Sequence, residues 1–485
     1  MTKDMKRKRL RKTKIIVSLV IVFQVLGILS AIHAVMNVRT SQGSIAWAVS
    51  LVTFPYVSVP AYWVFGRNKF QGYVLARREE IDSLSEVLRQ ANVQLNVASV
   101  DGSEDRGGMR AAETLARSPL TDGNGAELLI DGRATFDSIF EGIDAAEHYA
   151  LVQFYIVRDD ELGRELQDRL IDAAKRGVQV FFLYDEIGSV GLTSAFRNRF
   201  LDAGIVPRPF HSRKGSGNRF QLNFRNHRKT VVVDGKVAWI GGHNVGDEYM
   251  GGDPNFGNWR DTHVRLEGPS AIGAQLAFVE DWRWATDTIP EGLNWVPTRA
   301  SDANMRALVI PTGPADEMES ASLMFTGVIN AAQERIWIAS QYFVPDDAVV
   351  QALQLASLRG VDVRILIPEK ADSKLVTLAA YAFFVKTKAA GVEFYRYQDG
   401  FLHQKVVLVD DSFATVGTAN FDNRSFRLNF EITAAIKNVE FTAEVATMLE
   451  ADFANARLME PDEYDQKPLW FKFAVRLAHL TAHVL

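Results

Sequence analysis

Two stretches near the start of the chain carry no charge, and beyond them short apolar runs alternate with amphipathic ones. The first uncharged run extends from Ile15 to Met36, with His33 its one titratable residue, and the second from Ser44 to Phe65; each has 22 residues. As a helix, each would be about 33 Å long, enough to cross a hydrocarbon core. Lys3, Lys6, Arg7, Lys8, Arg9, Arg11, Lys12 and Lys14 precede the first run, and Arg67, Lys69, Arg77 and Arg78 follow the second, while Arg39 is the one basic residue between them. Positive charge on both outer flanks predicts a transmembrane hairpin with both ends in the cytoplasm. Trp47, Tyr62 and Trp63 fall near the ends of the second run, where interfacial aromatics belong, and Pro55 and Pro60 predict a kink inside it. Ala31 and Ala34 give a small-residue pattern like that of a cleaved signal peptide, but the apolar core is too long and a second span follows.

From Gln71 onward no stretch is long and apolar enough for another span, and the pattern becomes that of globular domains. Residues 79–95 read as an amphipathic helix, and the Gly-rich polar stretch 101–109 as a linker. Two later segments then match one another: ALVQFYIVRDDELGRELQDRLIDAAKRGVQVFFLYDE from Ala150, and IWIASQYFVPDDAVVQALQLASLRGVDVRILIPEK from Ile336. Each reads as a buried strand, a turn with paired aspartates, a helix stopped at Gly177 or Gly360, and another strand. That order predicts a parallel sheet in an α/β fold. The expected organisation is an anchor over 1–70, a helical linker over 71–120, a first domain over 121–295 and a second over 296–485, which ends in a helix.

Composition narrows the chemistry. A 47% hydrophobic, 23% charged chain is globular rather than disordered, and a net charge of −5 over 485 residues gives no broad basic face for nucleic acid. There are no cysteines, so disulfides, thiolate nucleophiles and cysteine-ligated metals are excluded.

The candidate chemistry lies in a second match between the halves. NHRKTVVVDG holds His227, Lys229 and Asp234, and LHQKVVLVDD holds His403, Lys405 and Asp410. Both follow H-x-K-x-x-x-x-D, and the two copies stay in step beyond it. Gly241 and Gly417 stand at the same distance past their histidines, and so do Asn244 and Asn420. In a strand, His and Lys two apart share a face. Two such strands would gather two imidazoles and two ammonium groups about one centre. That set suits a phosphodiester: one imidazole attacks phosphorus to form a phosphohistidine while the other protonates the leaving alcohol. The lysines and the asparagines Asn244 and Asn420 would bind the non-bridging oxygens. Asp261 in WRDTH and Glu431 in LNFE follow their histidines at similar but unequal spacing, and are the expected partners that orient the imidazoles. Asp234 and Asp410 belong to the catalytic motif, yet each ends an apolar run before Gly235 or Asp411, so they are expected to stabilise a turn more than to do chemistry.

Paired H-x-K-x-x-x-x-D motifs mark the phospholipase D superfamily. The surrounding NFRNHRKTVVVDGKVAWIGGHNVGDEYMG with WRDTH, GFLHQKVVLVDD with VGTANFDNRSFRLNFE, and the hairpin ending in YWVFGRNKFQGY resemble the bacterial cardiolipin synthases. The resemblance covers nearly the whole chain. It implies two tandem phospholipase D-like α/β sandwich domains with a shared active site, after a two-helix membrane hairpin in the bacterial inner membrane. It also implies condensation of two phosphatidylglycerols into cardiolipin with release of glycerol, with no cofactor, nucleotide or metal. His227 is then the nucleophile and His403 the acid/base, with exchange of the two roles left open. Hydrolysis or another headgroup exchange by the same machinery is the alternative, and an inactive lipid-binding scaffold is the contrasting class.

Other features have two readings. The acid-free basic stretch from Arg208 to Lys229 is either a lip that gathers anionic headgroups or a solvated loop. His243 and His263 either touch substrate or are hydrogen-bonded structural residues. His479 and His483 have helical spacing but no neighbouring carboxylate to complete a zinc site. The last stretch, PLWFKFAVRLAHLTAHVL, is an amphipathic helix that either docks on the bilayer or packs on the second domain.

Overall fold

The computed structural model describes residues 3–38, 41–66, 81–100, 109–210, 223–254, 256–300 and 305–482. The second basic flank of the hairpin, the 101–108 linker, Arg213, Lys214 and Arg219 of the basic stretch, and His483 lie outside the described residues. The chain divides into a hairpin unit and a larger α/β unit.

In the hairpin unit, helix α1 (Lys3–Asn37) takes in the basic run as well as the uncharged one. Its portion Arg11–Asn37 is long and apolar enough to cross a membrane, and it turns Ile16, Leu29 and Ile32 outward. The second run is not one kinked helix. It breaks at Phe54 into α2 (Ser41–Thr53) and α3 (Pro55–Phe65), with Pro55 in the first turn of α3 and Pro60 inside it. The break follows from Pro55, which has no N–H to offer the Leu51 carbonyl four residues earlier. α1 accommodates it. A Cβ on Gly27 would lie 2.3 Å from the Leu51 carbonyl oxygen, so only glycine admits that approach. Gln24 Nε2 donates to the neighbouring Val52 carbonyl at 3.0 Å. Trp63 Nε1 donates to Ser30 Oγ at 3.0 Å and the Tyr62 hydroxyl bonds His33 Nδ1 at 2.7 Å. Polar contacts of this kind join helices where lipid gives no hydrophobic drive to associate.

The α/β unit is a duplication. The first half contributes β1 (Thr121–Ile130), β2 (Tyr149–Phe154), β3 (Gln179–Asp185), β4 (Arg208–Phe210), β5 (Arg225–Asn226), β6 (Thr230–Val233), β7 (Val237–Gly241), β8 (Trp259–Arg260) and β9 (Thr262–Glu267). The second contributes β10 (Met305–Thr312), β11 (Arg335–Ser340), β12 (Phe343–Val344), β13 (Asp362–Pro368), β14 (Glu393–Tyr397), β15 (Phe401–Leu402), β16 (Lys405–Val409), β17 (Phe413–Gly417), β18 (Phe421–Asp422), β19 (Asn429–Lys437) and β20 (Ala456–Leu458). The order β1-β9-β7-β6-β2-β3-β4 repeats as β10-β19-β17-β16-β11-β13-β14, extended by β20. An antiparallel β1–β10 pair joins the two runs into one sheet. Along this path the expected parallel pairing is confined to β2-β3-β4 and β11-β13-β14. The rest of that path is antiparallel, because β6–β7 and β16–β17 are hairpins closed by the Asp234 and Asp410 turns.

The matched helices are α4 (Glu161–Lys175) and α5 (Asp347–Leu358), and one aspartate of each pair, the second in the first repeat and the first in the second, caps its helix. Asp160 accepts from Gly163 N–H and Asp346 from Val349 N–H, each as an N-cap. Gly177 and Gly360 follow the helix ends at φ 95° and 94°, the left-handed conformation that terminates a helix at low cost in glycine. Phe136, Phe182, Phe200 and Trp239 anchor the first core, and Ile338, Phe343, Phe394 and Phe421 the second. Helix Ile81–Val97 matches the expected amphipathic segment and packs Ala91 and Leu95 on Ile272 and Leu276.

The aspartates that close the motif sit in turns with φ 53° and 48°. Asp234 accepts from the backbone N–H groups of Glu147, His148 and Tyr149 at 2.8–2.9 Å. Asp410 accepts from Gln333, Glu334 and Arg335 at 2.8–3.2 Å. Their inclusion among catalytic residues is corrected here: the carboxylates are consumed in tying each turn to the start of the neighbouring strand, β2 or β11. Asp234→Ala leaves three backbone donors unmatched and is expected to lower stability by about 1–3 kcal/mol. Asp234→Asn, which keeps one acceptor oxygen and tolerates positive φ, should lose less, as read from thermal unfolding midpoints in detergent.

Candidate active site

The two H-x-K segments do not run inside continuous strands. Each lies where one strand gives way to the next, the first between β5 and β6 and the second running from the end of β15 into Lys405, the first residue of β16. The short strands before them leave their own repeat: β5 pairs in parallel with β19 of the second, and β15 with β8 of the first. The ladder continues through the histidines, since His227 N–H donates to the Phe430 carbonyl at 2.9 Å and His403 N–H to the Arg260 carbonyl at 2.8 Å. The residue after each acceptor is a carboxylate of the opposite repeat. The orienting partners are therefore exchanged between repeats.

His227 Nδ1 donates to both oxygens of Glu431 at 3.0 Å, and His403 Nδ1 donates to Asp261 Oδ2 at 2.6 Å. A carboxylate only accepts, so each imidazole carries its proton on Nδ1 and leaves the Nε2 lone pair for chemistry. Glu431 is further held by Thr418 Oγ1 at 2.6 Å and Asn429 Nδ2 at 3.1 Å, and Asp261 by the Thr262 N–H at 2.8 Å. Each ring also meets an aromatic face, His227 against Tyr155 at 4.9 Å and His403 against Trp259 at 5.2 Å between centroids.

Lys229 and Lys405 are buried and donate to the carbonyls of their own histidines, His227 and His403. Burial is the dominant electrostatic influence throughout. It pulls His227 down to about 4 despite the attraction of Glu431, and pulls His403 well below the usual imidazole range. The same burial brings Lys229 to about 7 and Lys405 to about 8, partly offset by Glu431 and Asp261. Burial pushes the Glu431 carboxyl up, but His227, Lys229 and Thr418 together outweigh it and hold it below its usual range. His403 senses both lysines and His227, so the motif residues form one electrostatic unit.

The remaining predicted residues divide. Asn244 accepts from the Ile156 N–H at 3.1 Å and donates to the Tyr249 hydroxyl at 3.2 Å. The Asn420 backbone donates to Ser425 Oγ at 3.1 Å, while its buried side-chain oxygen has no hydrogen-bond partner among the described residues. His243 and His263 lie with Nδ1 atoms 3.1 Å apart, fully buried, the arrangement of the structural reading. No cluster that could hold a metal is found among the described residues.

Sequence reasoning missed the support beneath each motif. Arg228 donates to Asp281 at 2.9 Å, to the Glu431 carbonyl at 3.0 Å and to the Thr312 carbonyl at 3.4 Å, so it ties its own repeat to the other. Asp281 also accepts from Gln153 and Asn226, both at 2.7 Å. In the second repeat Asp452 accepts from Gln404 at 3.0 Å and from Arg260 at 2.7 and 3.1 Å. Asp281 and Asp452 follow Asp261 and Glu431 at nearly equal spacing, on largely apolar helices, Ser270–Thr286 and Val439–Ala454. An acid at matching places on two apolar helices was the available signal.

Known proteins resemble the chain over nearly all of its length. The family profile described as "Cardiolipin synthase, PLD-like domain" matches twice, over residues 139–257 and 325–453. One described as "Phospholipase_D-nuclease N-terminal" matches residues 25–67. Cardiolipin synthase A of Pseudomonas putida (strain W619) is 46% identical over 463 residues, covering 95% of this chain and 96% of the relative. Cardiolipin synthase A of Pseudomonas aeruginosa (strain LESB58) is 46% identical over 473 residues, covering 96% of each. In fold, the crystal structure of a phosphatidylserine synthase from Haemophilus influenzae Rd KW20 superposes with a TM-score of 0.60 at 15% identity, over 78% of this chain and 99% of that one. Agreement that runs nearly end to end, and meets one profile in both repeats, places the chain in the bacterial cardiolipin synthase family of the phospholipase D superfamily.

Proposed function

We propose that this phosphatidyltransferase makes cardiolipin by two displacements at one phosphorus, with His227 as nucleophile and His403 as acid and base. The observation that carries this reading is the exchanged pair of imidazole–carboxylate contacts, which leaves the Nε2 lone pair of each ring for chemistry, with His403 close enough to His227 to feel its charge. In the first step Nε2 of His227 attacks the phosphorus of phosphatidylglycerol, the bond to glycerol breaks, and glycerol leaves with a proton from His403. In the second, a glycerol hydroxyl of another phosphatidylglycerol gives its proton to His403 and attacks the phosphohistidine. Cardiolipin forms and His227 is released. One phosphodiester replaces another, so the overall free-energy change is small and the reaction reversible.

The protonation states support this division. In the free site burial keeps both imidazoles neutral, which arms the nucleophile. The acid needs the opposite condition, and the bound phosphodiester supplies it, since its negative charge favours an imidazolium at His403, already held by Asp261. Lys229, Lys405 and Asn420 bind the non-bridging oxygens, and Asn244 keeps the second N–H of its amide for the same task. Each histidine has a carboxylate on Nδ1, so the contacts leave exchange of the roles open, and the bidentate Glu431 contact is what favours His227 as the nucleophile.

The enzyme is membrane-associated, and the hairpin is its proposed multi-pass anchor in the inner membrane, with both termini and the α/β unit in the cytoplasm. Its proposed partner is the anionic phospholipid of that membrane rather than nucleic acid.

Three outcomes are expected. In mixed micelles of phosphatidylglycerol, the protein forms cardiolipin and matching glycerol. His227→Ala loses at least about 10³-fold in rate, and Glu431→Gln about 10²-fold or more with little change in KM; phosphatidic acid in place of cardiolipin would make the enzyme a hydrolase. In the free enzyme kcat/KM falls below about pH 4, where His227 gains a proton. It declines toward higher pH as the proton that His403 must take up becomes scarcer, and falls more steeply above about pH 7, where Lys229 loses its own. Lys229→Arg, whatever its rate, should move the alkaline limb toward the Lys405 value of about 8. In spheroplasts, a Ser41→Cys variant reacts with a membrane-impermeant maleimide and an Arg133→Cys variant does not; the reverse pattern would invert the topology.

A further inference from the structure

Near its C-terminus the α/β unit carries a helix, Leu469–His479, that is only half covered by protein. Its inner face is settled. Val475 and Ala478 are buried, the Phe471 ring meets Tyr381 edge-on at 5.1 Å, and His479 lies 5.4 Å from the Phe383 ring. Tyr381 and Phe383 belong to helix Lys374–Lys388, so packing on the second repeat is real.

The outer face is apolar as well. Leu469, Trp470, Phe473, Leu477 and Leu480 are 84%, 70%, 69%, 56% and 74% exposed. At about 100° per residue these five positions fall within one arc of about 100°, and the buried residues fall opposite. Scattered single apolar residues on a surface need no explanation, but a continuous stripe with an aromatic pair does. Exposed Arg476 borders the stripe, and Lys472 lies on the same border. A helix with a wide apolar face, a Trp and a Phe in that face, and cations along its edge has the form of helices that lie in the plane of a bilayer interface. The same chain carries a candidate membrane span, Arg11–Asn37, which confines this helix to the vicinity of a bilayer.

We infer that helix Leu469–His479 is a second membrane contact, which lays its Leu469–Leu480 stripe into the headgroup–acyl boundary of an anionic bilayer. One anchor leaves the α/β unit free to swing, and a second fixes its orientation. The contact has a short route to the chemistry. Helix Lys374–Lys388 packs on β12, β12 pairs with β18, and β18 begins at the residue after Asn420. The docked helix is thereby linked through packed elements to Asn420 in the second half of the site. This inference is independent of the roles assigned to the histidines.

The absence of cysteine in the chain allows single-site labelling. Full-length Phe473→Cys, Leu477→Cys and the reference Arg133→Cys are labelled with an environment-sensitive fluorophore. They are reconstituted at high dilution into phosphatidylcholine vesicles with and without phosphatidylglycerol. The expected result is strong quenching by a doxyl-labelled lipid at 473 and 477 and none at 133, increased by phosphatidylglycerol. Iodide quenching as strong at 473 and 477 as at 133 would place the stripe in water and overturn the inference. Protection from both quenchers that disappears on further dilution would assign the stripe to a second copy of the chain, which also overturns it. As an independent readout, a Trp470→Ser/Phe473→Ser/Leu477→Ser variant should lose cardiolipin synthesis severalfold on vesicles and keep its rate in mixed micelles. Equal rates on vesicles would remove the contact from function.

Discussion

The exchange of carboxylates between the repeats is the constraint on which the catalytic unit depends. His227 is oriented by Glu431 and His403 by Asp261, across 204 and 142 residues of sequence. Neither contact is a surface ion pair. All four groups are buried, so an imidazole that lost its partner would keep the cost of burial without the bond that fixes its tautomer. The two exchanged strand pairs, β5 with β19 and β15 with β8, are what bring the groups into register. The seam between the repeats is thus built from the same backbone bonds that build the site.

The support beneath the seam is two-fold in plan but not in detail. Asp281 and Asp452 occupy matching places and each fixes the middle residue of its H-x-K, Arg228 in one repeat and Gln404 in the other. In the first repeat the arginine is that middle residue and reaches across to the Glu431 carbonyl. Beneath the second motif the arginine is Arg260, supplied by β8 of the first repeat beside Asp261, and the middle residue is neutral. Both buried arginines thus come from the first repeat, one within its motif and one outside it. A duplicated site that began with equal halves would need some such difference before its two imidazoles could take different tasks.

Much of this was legible in the sequence. One of each pair of aspartates read as a turn is a helix N-cap, Asp160 and Asp346, and Gly177 and Gly360 end their helices as read, because caps and stops are local. The motif and its carboxylates were also visible, because identical chemistry recurred at nearly identical spacing. What spacing cannot carry is the direction of pairing. The short interval from each histidine to the acid in its own repeat suggests a local partnership, and only the departure of β5 and β15 from their own sheets assigns the partners. The same limit applies to the sheet, where strand–helix–strand order accounts for two parallel triplets while the hairpins at Asp234 and Asp410 turn the rest antiparallel. The Phe54 break was half legible. Pro55 marked the place, but the partner that tolerates it, Gly27 on α1, is set by packing.

The distance in sequence between His227 and its carboxylate has a consequence for the protein during its manufacture. A chain grows from its N-terminus, and its domains fold in that order. The first repeat, complete with His227 and Lys229, emerges long before residue 431 exists. Until then its histidine has no acceptor for Nδ1–H and no second imidazole, and a phosphohistidine, once formed, would have water as its ready acceptor. A fragment or an interrupted translation product thus holds half of a lipase without being one. Assembly of the two imidazole–carboxylate pairs waits until the last third of the α/β unit has folded.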